Sequence, residues 1–248
     1  MVNVDKVYQR VLALANKEQR GYITPQEFNL FANQAQMDIF EQYFYDLNQF
    51  KRVPGNDTIY ADPVSILNEK ISLFEVAVGT NSIIGWGMDG NSIVIPDEVY
   101  RLSQVRLAGF PVEFLPTKEF NMVRESPLTK PTEKRPIARR DFRGMLIFNH
   151  NGVYTPAPPP SLGINASYIK KPEPVNWVAN SNSAGEVTLI NGIAMYDNSL
   201  STNFELHDSE ETNLVIKILG LAGIAMKDTE LYQIGLAEDN KNVQQEKQ

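Results

Sequence analysis

The apolar positions between Tyr22 and Phe50 form two stripes rather than one. Successive residues of an α-helix turn by about 100°, so the two stripes lie roughly 140° apart around one helix. The helix has a clear start, because Thr24, Pro25 and Glu27 match a capping box with proline at the first helical position. The first stripe is Phe28, Phe31, Ala35, Ile39 and Tyr43, and the second is Leu30, Met37, Phe40, Phe44 and Leu47.

A helix with two apolar faces must be covered on both sides. It is either the central core helix of one domain, which the helix by itself favours, or it lies between its own subunit and a neighbour. Its polar positions are mostly Asn and Gln, and no Lys or Arg occurs from Gly21 to Phe50. This composition suits a protein interface, because charged groups are costly to desolvate. We therefore hypothesise that part of the second stripe contacts a second subunit, through Leu30, Met37, Phe40 and Phe44.

Regular apolar spacing predicts further helices at both ends of the chain. Val4–Arg20 has one apolar face, and a third helix is predicted from Asp62 to about Val78. Near the other end, Asn213–Met226 follows an acidic start and is rich in Gly and Ala, which makes the predicted helix slim.

Between these helices Gly, Pro and Asn become frequent, and short runs with β-strand character appear. Gly109 fits the turn of a hairpin, and Thr117–Glu125 fits one short helix. Two Pro-rich segments, Ser126–Pro136 and Thr155–Ser161, are predicted to be extended arms or loops. The β-type runs lie at 92–96, 102–109, 111–116, 144–149, 163–172, 185–192 and 193–197.

This order of elements predicts an α+β protein. We expect the N-terminal and C-terminal helices to form one helical bundle, with a mostly antiparallel β region inserted between them. The predicted parts are residues 1–79 (N-terminal helices), 80–205 (β-rich region with the Pro-rich arms) and 206–248 (C-terminal helices and tail).

Composition narrows the classes of function. The net charge of −7 argues against a general nucleic-acid-binding protein, although a local basic patch is compatible with it. The sequence contains no Cys, which excludes disulfides and thiolate chemistry within these residues. The N-terminus has no apolar signal core and no run approaches the length of a membrane span, so we expect no membrane partner.

No motif for catalysis, metal binding or cofactor binding stands out. His150 and His207 are isolated and fit turn and cap positions rather than a metal site. The Gly-rich segment Gly85–Ser92 lacks the Lys-Ser/Thr pair of a phosphate-binding loop. We therefore predict no catalytic residue, no metal and no cofactor.

One basic cluster lies between Lys130 and Arg143. Its six cations, set against Glu133 and Asp141, leave a local charge of +4. The cluster could face DNA phosphates or an acidic protein surface, and a solvated loop balanced by acids elsewhere is the simpler alternative. The cations are Lys130, Lys134, Arg135, Arg139, Arg140 and Arg143.

The segment Leu14–Phe50 resembles the start of virion structural proteins from tailed phages, particularly the crAss-like group. The later order is similar to that of head-to-tail adaptor and neck-ring proteins of short-tailed phages. That order comprises a Pro-rich arm, the strand Tyr168–Pro172, the sequence Phe204–Asp208 and a helix containing Leu221–Gln233.

The resemblance implies a twelve-fold homo-oligomeric ring in the neck or tail region of the virion, assembled in the host cytoplasm. The ring would contact the portal protein and other neck or tail proteins, with DNA passing through it without sequence-specific binding. In adaptors the C-terminal segment often engages the portal, and the corresponding residues here are Leu231, Tyr232, Ile234, Leu236 and Val243.

In such a ring the basic segment would face either channel DNA or a neighbouring protein. Tight binding of DNA would oppose its ejection, so we favour pairing of Arg139, Arg140 and Arg143 with carboxylates of a neighbour. A β-rich module that binds carbohydrate or a receptor through Trp86, Trp177 and Tyr154 is the alternative function, and a hydrolase is a more distant one.

Overall fold

A computed structural model of the chain describes residues 1–17, 23–51, 62–77, 88–89, 92–142, 144–149, 151–153, 164–180, 189–190 and 193–225. Within them lie the helices α1 (Val4–Lys17), α2 (Pro25–Phe50), α3 (Pro63–Ser72), α4 (Thr117–Glu125) and α5 (Glu211–Ala225). One turn of 3₁₀-helix, Asp208–Glu210, precedes α5. The Pro-rich segment at 155–161 and the segment after residue 225 lie outside the described residues.

The strands form mostly antiparallel sheets, so the predicted α+β class is confirmed. They are β1 (Glu75–Ala77), β2 (Met88–Asp89), β3 (Ser92–Val94), β4 (Val99–Leu107), β5 (Phe110–Pro111), β6 (Glu113–Phe114), β7 (Ile137–Arg140), β8 (Gly144–Asn149), β9 (Gly152–Val153), β10 (Ile164–Lys170), β11 (Leu189–Ile190) and β12 (Ile193–Ala194). One sheet has the order β1-β10-β4-β5, and a second has the order β2-β3-β8-β7-β6 with β9 added beside β8. The β6–β7 pair is parallel, and β11 and β12 form a separate hairpin.

The chain divides into two units, which we call the helical unit and the β unit. The helical unit comprises Met1–Leu73 and Pro172–Gln248, and the β unit comprises Phe74–Lys171. The β unit therefore ends at 171, whereas the sequence placed this boundary at 205. The two boundaries differ because residues 173–177 and Glu205 are hydrogen-bonded to side chains of α2 and therefore belong to the helical unit.

The two chain segments of the helical unit contact each other through hydrogen bonds and ion pairs. Val2 pairs with Phe204 in an antiparallel β-bridge, and the amino group of Met1 lies 2.6 Å from Oδ1 of Asp208. Lys6 and Arg10 both form ion pairs with Glu211 at the start of α5. Accordingly, α5 contacts both α1 and α2, and α2 contacts α3. A regular bundle of these helices stays a prediction.

The β unit has its own apolar core, built by alternation along the strands. Val105 and Leu107 of β4, Met145 and Ile147 of β8, and Ala166 of β10 point into it. The β4–β5 hairpin turns at Ala108 and Gly109, which have positive φ angles of 50° and 87°. The predicted turn at Gly109 is thus confirmed, and two left-handed residues are what a tight hairpin turn requires.

The third helix is shorter than its apolar spacing predicted. It ends at Ser72, and Glu75–Ala77 continue as strand β1 instead of extending the helix toward Val78. Pairing of Val76 with Tyr168 of β10 supplies the backbone hydrogen bonds of this segment in place of those that a longer helix would form. Pairing with the distant strand β10 therefore prevails here over the helical spacing of the apolar residues.

Candidate subunit interface

The start of α2 is as the sequence predicted. The Thr24 side chain accepts a hydrogen bond from the Glu27 N–H at 3.3 Å, and the Glu27 carboxylate accepts one from the Thr24 N–H at 3.0 Å. This reciprocal capping box fixes where the helix begins. It thereby fixes which side chains each face of α2 presents.

One face of α2 carries a ladder of amide side chains bonded to an extended segment of the same chain. Asn29 accepts from the Trp177 N–H at 2.8 Å and donates to the Trp177 carbonyl at 3.1 Å. Asn33 does the same with Val175, at 2.7 and 2.9 Å. Gln36 donates to the Glu173 carbonyl at 2.8 Å and accepts from the Glu205 N–H at 3.2 Å.

We call these three side chains the amide ladder. A side-chain amide offers a donor and an acceptor, as a peptide group does, so each Asn serves as a strand partner. Alternate residues of an extended segment repeat every 6.6–6.8 Å or so, against about 5.4 Å for one helical turn. This near match lets three rungs form between the two elements. Part of the Asn and Gln content that suggested an interface is therefore used inside the subunit.

The first apolar stripe of α2 is core, with Phe28, Ala35, Ile39 and Tyr43 buried. The residues of the second stripe differ in their burial. Phe40 is fully buried by its own chain, which corrects its assignment to a subunit interface, since a neighbour cannot reach it. Leu30 is 71% exposed, and Met37 and Phe44 are half-buried. For these last positions the subunit contact stays a prediction.

Trp177 belongs to the core rather than to a ligand-binding surface. Its ring centroid lies 4.6 Å from that of Tyr8, and its Nε1 donates to the Asp5 carboxylate at 3.0 Å. It is 2% exposed, so it cannot stack on a carbohydrate. The other two aromatic residues proposed for such a module, Trp86 and Tyr154, lie outside the described residues.

Of the two alternatives predicted for Ser126–Pro136, an extended arm or a loop, the structure shows a loop. Thr132 and Arg135 close a tight turn through two backbone hydrogen bonds, and Pro131 and Pro136 are buried. The Arg135 guanidinium donates twice to the Glu113 carboxylate, at 3.0 and 3.2 Å. From Ile137 the chain continues as strand β7 between β6 and β8. Lys130 and Lys134 are exposed.

Arg139 and Arg140 have different environments, because successive residues of a strand point to opposite faces. Arg139 is half-buried, its guanidinium carbon lies 5.5 Å from the Phe120 ring centroid, and its buried Nε has no hydrogen-bond partner among the described residues. This contact helps to hold α4 on the sheet, and pairing of Arg139 with a carboxylate of a neighbour stays a prediction. Arg140 is exposed. Arg143 lies outside the described residues.

The turn that joins β7 to β8 presents an aromatic side chain to solvent. Asp141 and Gly144 exchange backbone hydrogen bonds of 3.0 and 3.3 Å, and Phe142 at the tip is 91% exposed. A Cβ atom at Gly144 would lie 2.1 Å from the Ile93 carbonyl oxygen, so only glycine fits there. The base of this turn is thus closely packed, while its tip is open.

A cleft of about 620 Å³ lies beside this turn, within the β unit. Its apolar lining includes Val94, Ile95 and Val99, and the cations at its edge are Arg140 and Lys171. Two carboxylates, Asp97 and Asp141, also line it, and Phe142 forms part of its rim.

The Asp141 carboxylate supports the turn. It accepts hydrogen bonds from the Phe142 N–H at 2.9 Å and from the Ser92 hydroxyl at 2.8 Å. These hydrogen bonds hold the pKa of Asp141 below its usual value. The bond from the Phe142 N–H contributes most, the bond from Ser92 comes next, and the charge of Arg139 contributes less. The carboxylate of Asp141 is therefore engaged within its own chain.

Acid is expected to loosen this turn. A carboxyl group with a lowered folded-state pKa contributes stability above its unfolded pKa, about 4 for Asp, and loses it as the pH falls through the folded value. Hydrogen exchange of the Phe142 amide, corrected for its intrinsic rate, should thus lose protection below about pH 4. Asp141→Asn should show weaker protection with no step in this range. An identical acid step in Asp141→Asn would refute the assignment.

His207 has the cap role that the sequence predicted, because its Nδ1 accepts from the Ser209 N–H at 3.3 Å. His150 and the proposed portal-docking residues Leu231, Tyr232, Ile234, Leu236 and Val243 lie outside the described residues. In the part of the chain that the structure describes, no group of three His, Asp or Glu side chains could hold a metal ion. None of the described helices has the length and apolar character needed to cross a membrane.

Two functional candidates at the cleft were missed from the sequence. Phe142 has a recognisable signal, an aromatic residue within Arg-Asp-Phe-Arg-Gly, where Asp and Gly are typical turn residues. Lys171 has no such sequence signal, since only the fold brings it to the same cleft as Arg140. No protein-family model and no curated protein matches the chain.

Proposed function

We propose that this protein is a ring-forming head-to-tail connector of a tailed-phage virion, located below the portal and surrounding the DNA channel. The class comes from the resemblance of Leu14–Phe50 to such virion proteins. The proposal includes a location in the virion, contact with the portal, and passage of DNA through the ring.

The observation that supports it is the division of charge between the two units. The β unit, Phe74–Lys171, carries twelve Lys and Arg against nine Asp and Glu, a net charge of +3. The helical unit carries eleven against 21, a net charge of −10. Different surfaces of opposite charge favour a head-to-tail contact between copies, and such contacts generate a ring when the rotation closes.

Exposed apolar side chains add to this support. Leu30 and Tyr45 on α2 are 71% and 60% exposed, and Phe142 in the β unit is exposed as well. Aromatic and large apolar residues are enriched in the buried centres of protein interfaces. They are also costly to leave in water over a large area. Covering them with a second copy explains their presence in both units.

Electron microscopy of the purified full-length chain, alone and mixed with the portal protein of its virion, tests the proposal. We expect closed rings of one rotational symmetry that bind the portal at one end. Ring formation should weaken as salt rises from about 0.05 to 0.5 M, because salt screens the opposite charges. A chain that binds glycans on an array, forms no ring with the portal and does not co-purify with virions would favour the receptor-binding alternative.

A further inference from the structure

We propose that the cleft of the β unit is the docking site for the exposed face of helix α2 of a second copy of this chain. This inference rests on the proposed ring and names the two surfaces that meet in it. It assigns the apolar lining, Arg140, Lys171 and Phe142 to one side of the contact, and α2 to the other.

The outer face of α2 has the chemistry that the cleft requires. Six exposed positions follow one another at helical spacing: Leu30, Gln34, Asp38, Glu41, Tyr45 and Asn48. At about 100° per residue these positions fall within an arc of roughly 80°, so they form one stripe. The stripe contains no cation, and neither Asp38 nor Glu41 forms an ion pair with another described residue.

Single charged side chains of the two surfaces can pair, although the cleft lining as a whole carries two cations and two carboxylates. Arg140 and Lys171 at the cleft can meet Asp38 and Glu41, which lie one turn apart on α2. Arg forms paired hydrogen bonds with a carboxylate, which sets orientation as well as attraction. Of the two carboxylates in the lining, Asp141 accepts hydrogen bonds from the Phe142 N–H and from Ser92, so it does not compete strongly for these cations. The second, Asp97, is exposed and leaves the cleft without net charge, so the contact depends on the pairing of individual side chains.

The apolar parts are also complementary. The cleft volume of about 620 Å³ accommodates side chains projecting from a helix, and its lining residues Val94, Ile95 and Val99 offer apolar contact. Tyr45, 60% exposed, would lose water contact there, and Phe142 at the rim would pack against the same helix. The close packing at Gly144 presents Phe142 on a defined turn, which lowers the entropy lost on docking.

The contact is heterologous, because the cleft and the α2 face are different surfaces of each copy. Every copy therefore offers one of each, and successive copies close into a ring when the rotation per contact divides a full turn. The amide ladder lies on another face of α2, bonded to residues 173–177, so docking leaves it intact.

A charge swap tests this contact in the full-length chain. Arg140→Glu with Lys171→Glu should weaken self-association at least about tenfold, and Asp38→Lys with Glu41→Lys should do the same. Combining all four changes should restore association, because each copy then carries both reversed surfaces. The matched control is Lys118→Glu with Lys134→Glu, the same charge change at exposed positions outside the cleft.

The measurements are mass photometry for the oligomer and circular dichroism for the fold. Phe142→Ala, which removes a side chain exposed to solvent, should weaken association with an unchanged melting temperature. The inference is overturned if the cleft variant associates as well as the control, if the four-residue swap fails to restore association, or if the wild type stays monomeric. If rings form with the portal and the cleft variant associates as the wild type does, the proposed function still holds. The contact between the cleft and α2 is then refuted.

Discussion

Replacing Asn33 by alanine is expected to lower the free energy of unfolding by roughly 2 to 4 kcal/mol, far more than loss of an exposed amide. The Asn33 side chain satisfies both the N–H and the carbonyl of Val175, at 2.7 and 2.9 Å. Alanine leaves both groups without a partner in a partly buried position, and each such group costs about 1–3 kcal/mol. Helix propensity favours alanine and offsets only a few tenths of a kcal/mol.

Gln34→Ala is the matched control, one residue further along the same helix, because Gln34 is exposed. Chemical denaturation of the two variants should show a lower midpoint for Asn33→Ala and a midpoint close to wild type for Gln34→Ala. Asn33→Asp gives a finer test, since it keeps the acceptor for the Val175 N–H but loses the donor to the Val175 carbonyl. Equal stability of Asn33→Ala and Gln34→Ala would show that the amide ladder contributes nothing.

The second large effect is expected at Gly144. A Cβ there would lie 2.1 Å from the Ile93 carbonyl oxygen and 3.2 Å from the Val94 Cα, both backbone atoms that cannot rotate away. Gly144→Ala must therefore separate β3 from β8 or rebuild the turn at Asp141, and overpacking of this kind costs about 1–3 kcal/mol. The cleft beside this turn should be distorted as well.

Gly220→Ala is the control for Gly144→Ala, because an added Cβ at Gly220 would meet no atom of the described residues within 4 Å. In a helix the same exchange is expected to stabilise by up to about 1 kcal/mol. Thermal melting should therefore move in opposite directions for the two variants. A Gly144→Ala protein that melts as the wild type does would show that the backbone yields without cost. Among the described residues, no backbone neighbour lies close to Gly220.

Features built from nearby residues were predictable from the sequence. The capping box joins Thr24 and Glu27, three residues apart, and the hairpin turn at Gly109 depends on its immediate neighbours. The bounds of α4, Thr117–Glu125, were also predicted. Local hydrogen bonds and backbone conformations determine these features, so a short stretch of sequence contains the necessary information.

Features that depend on distant partners were not predictable. The amide content of α2 is plain in the sequence, but Asn33 meets Val175 across 142 positions. The Arg139 side chain belongs to a basic cluster in the sequence, and only the packing of α4 on β7 places it against Phe120. The end of α3 was misplaced for the same reason, since β10 supplies the partner that draws Glu75–Ala77 into a strand.

The α+β class, the start of α2, the surplus of positive charge between Lys130 and Arg143 and the two apolar stripes of α2 follow from local sequence. Which of these residues reach the surface depends on the folded packing. It buried Phe40, engaged Arg139 and left Leu30, Tyr45, Arg140 and Phe142 exposed. The physical reason is that hydrophobicity and charge are properties of single residues, whereas burial depends on which distant segments the fold brings against them.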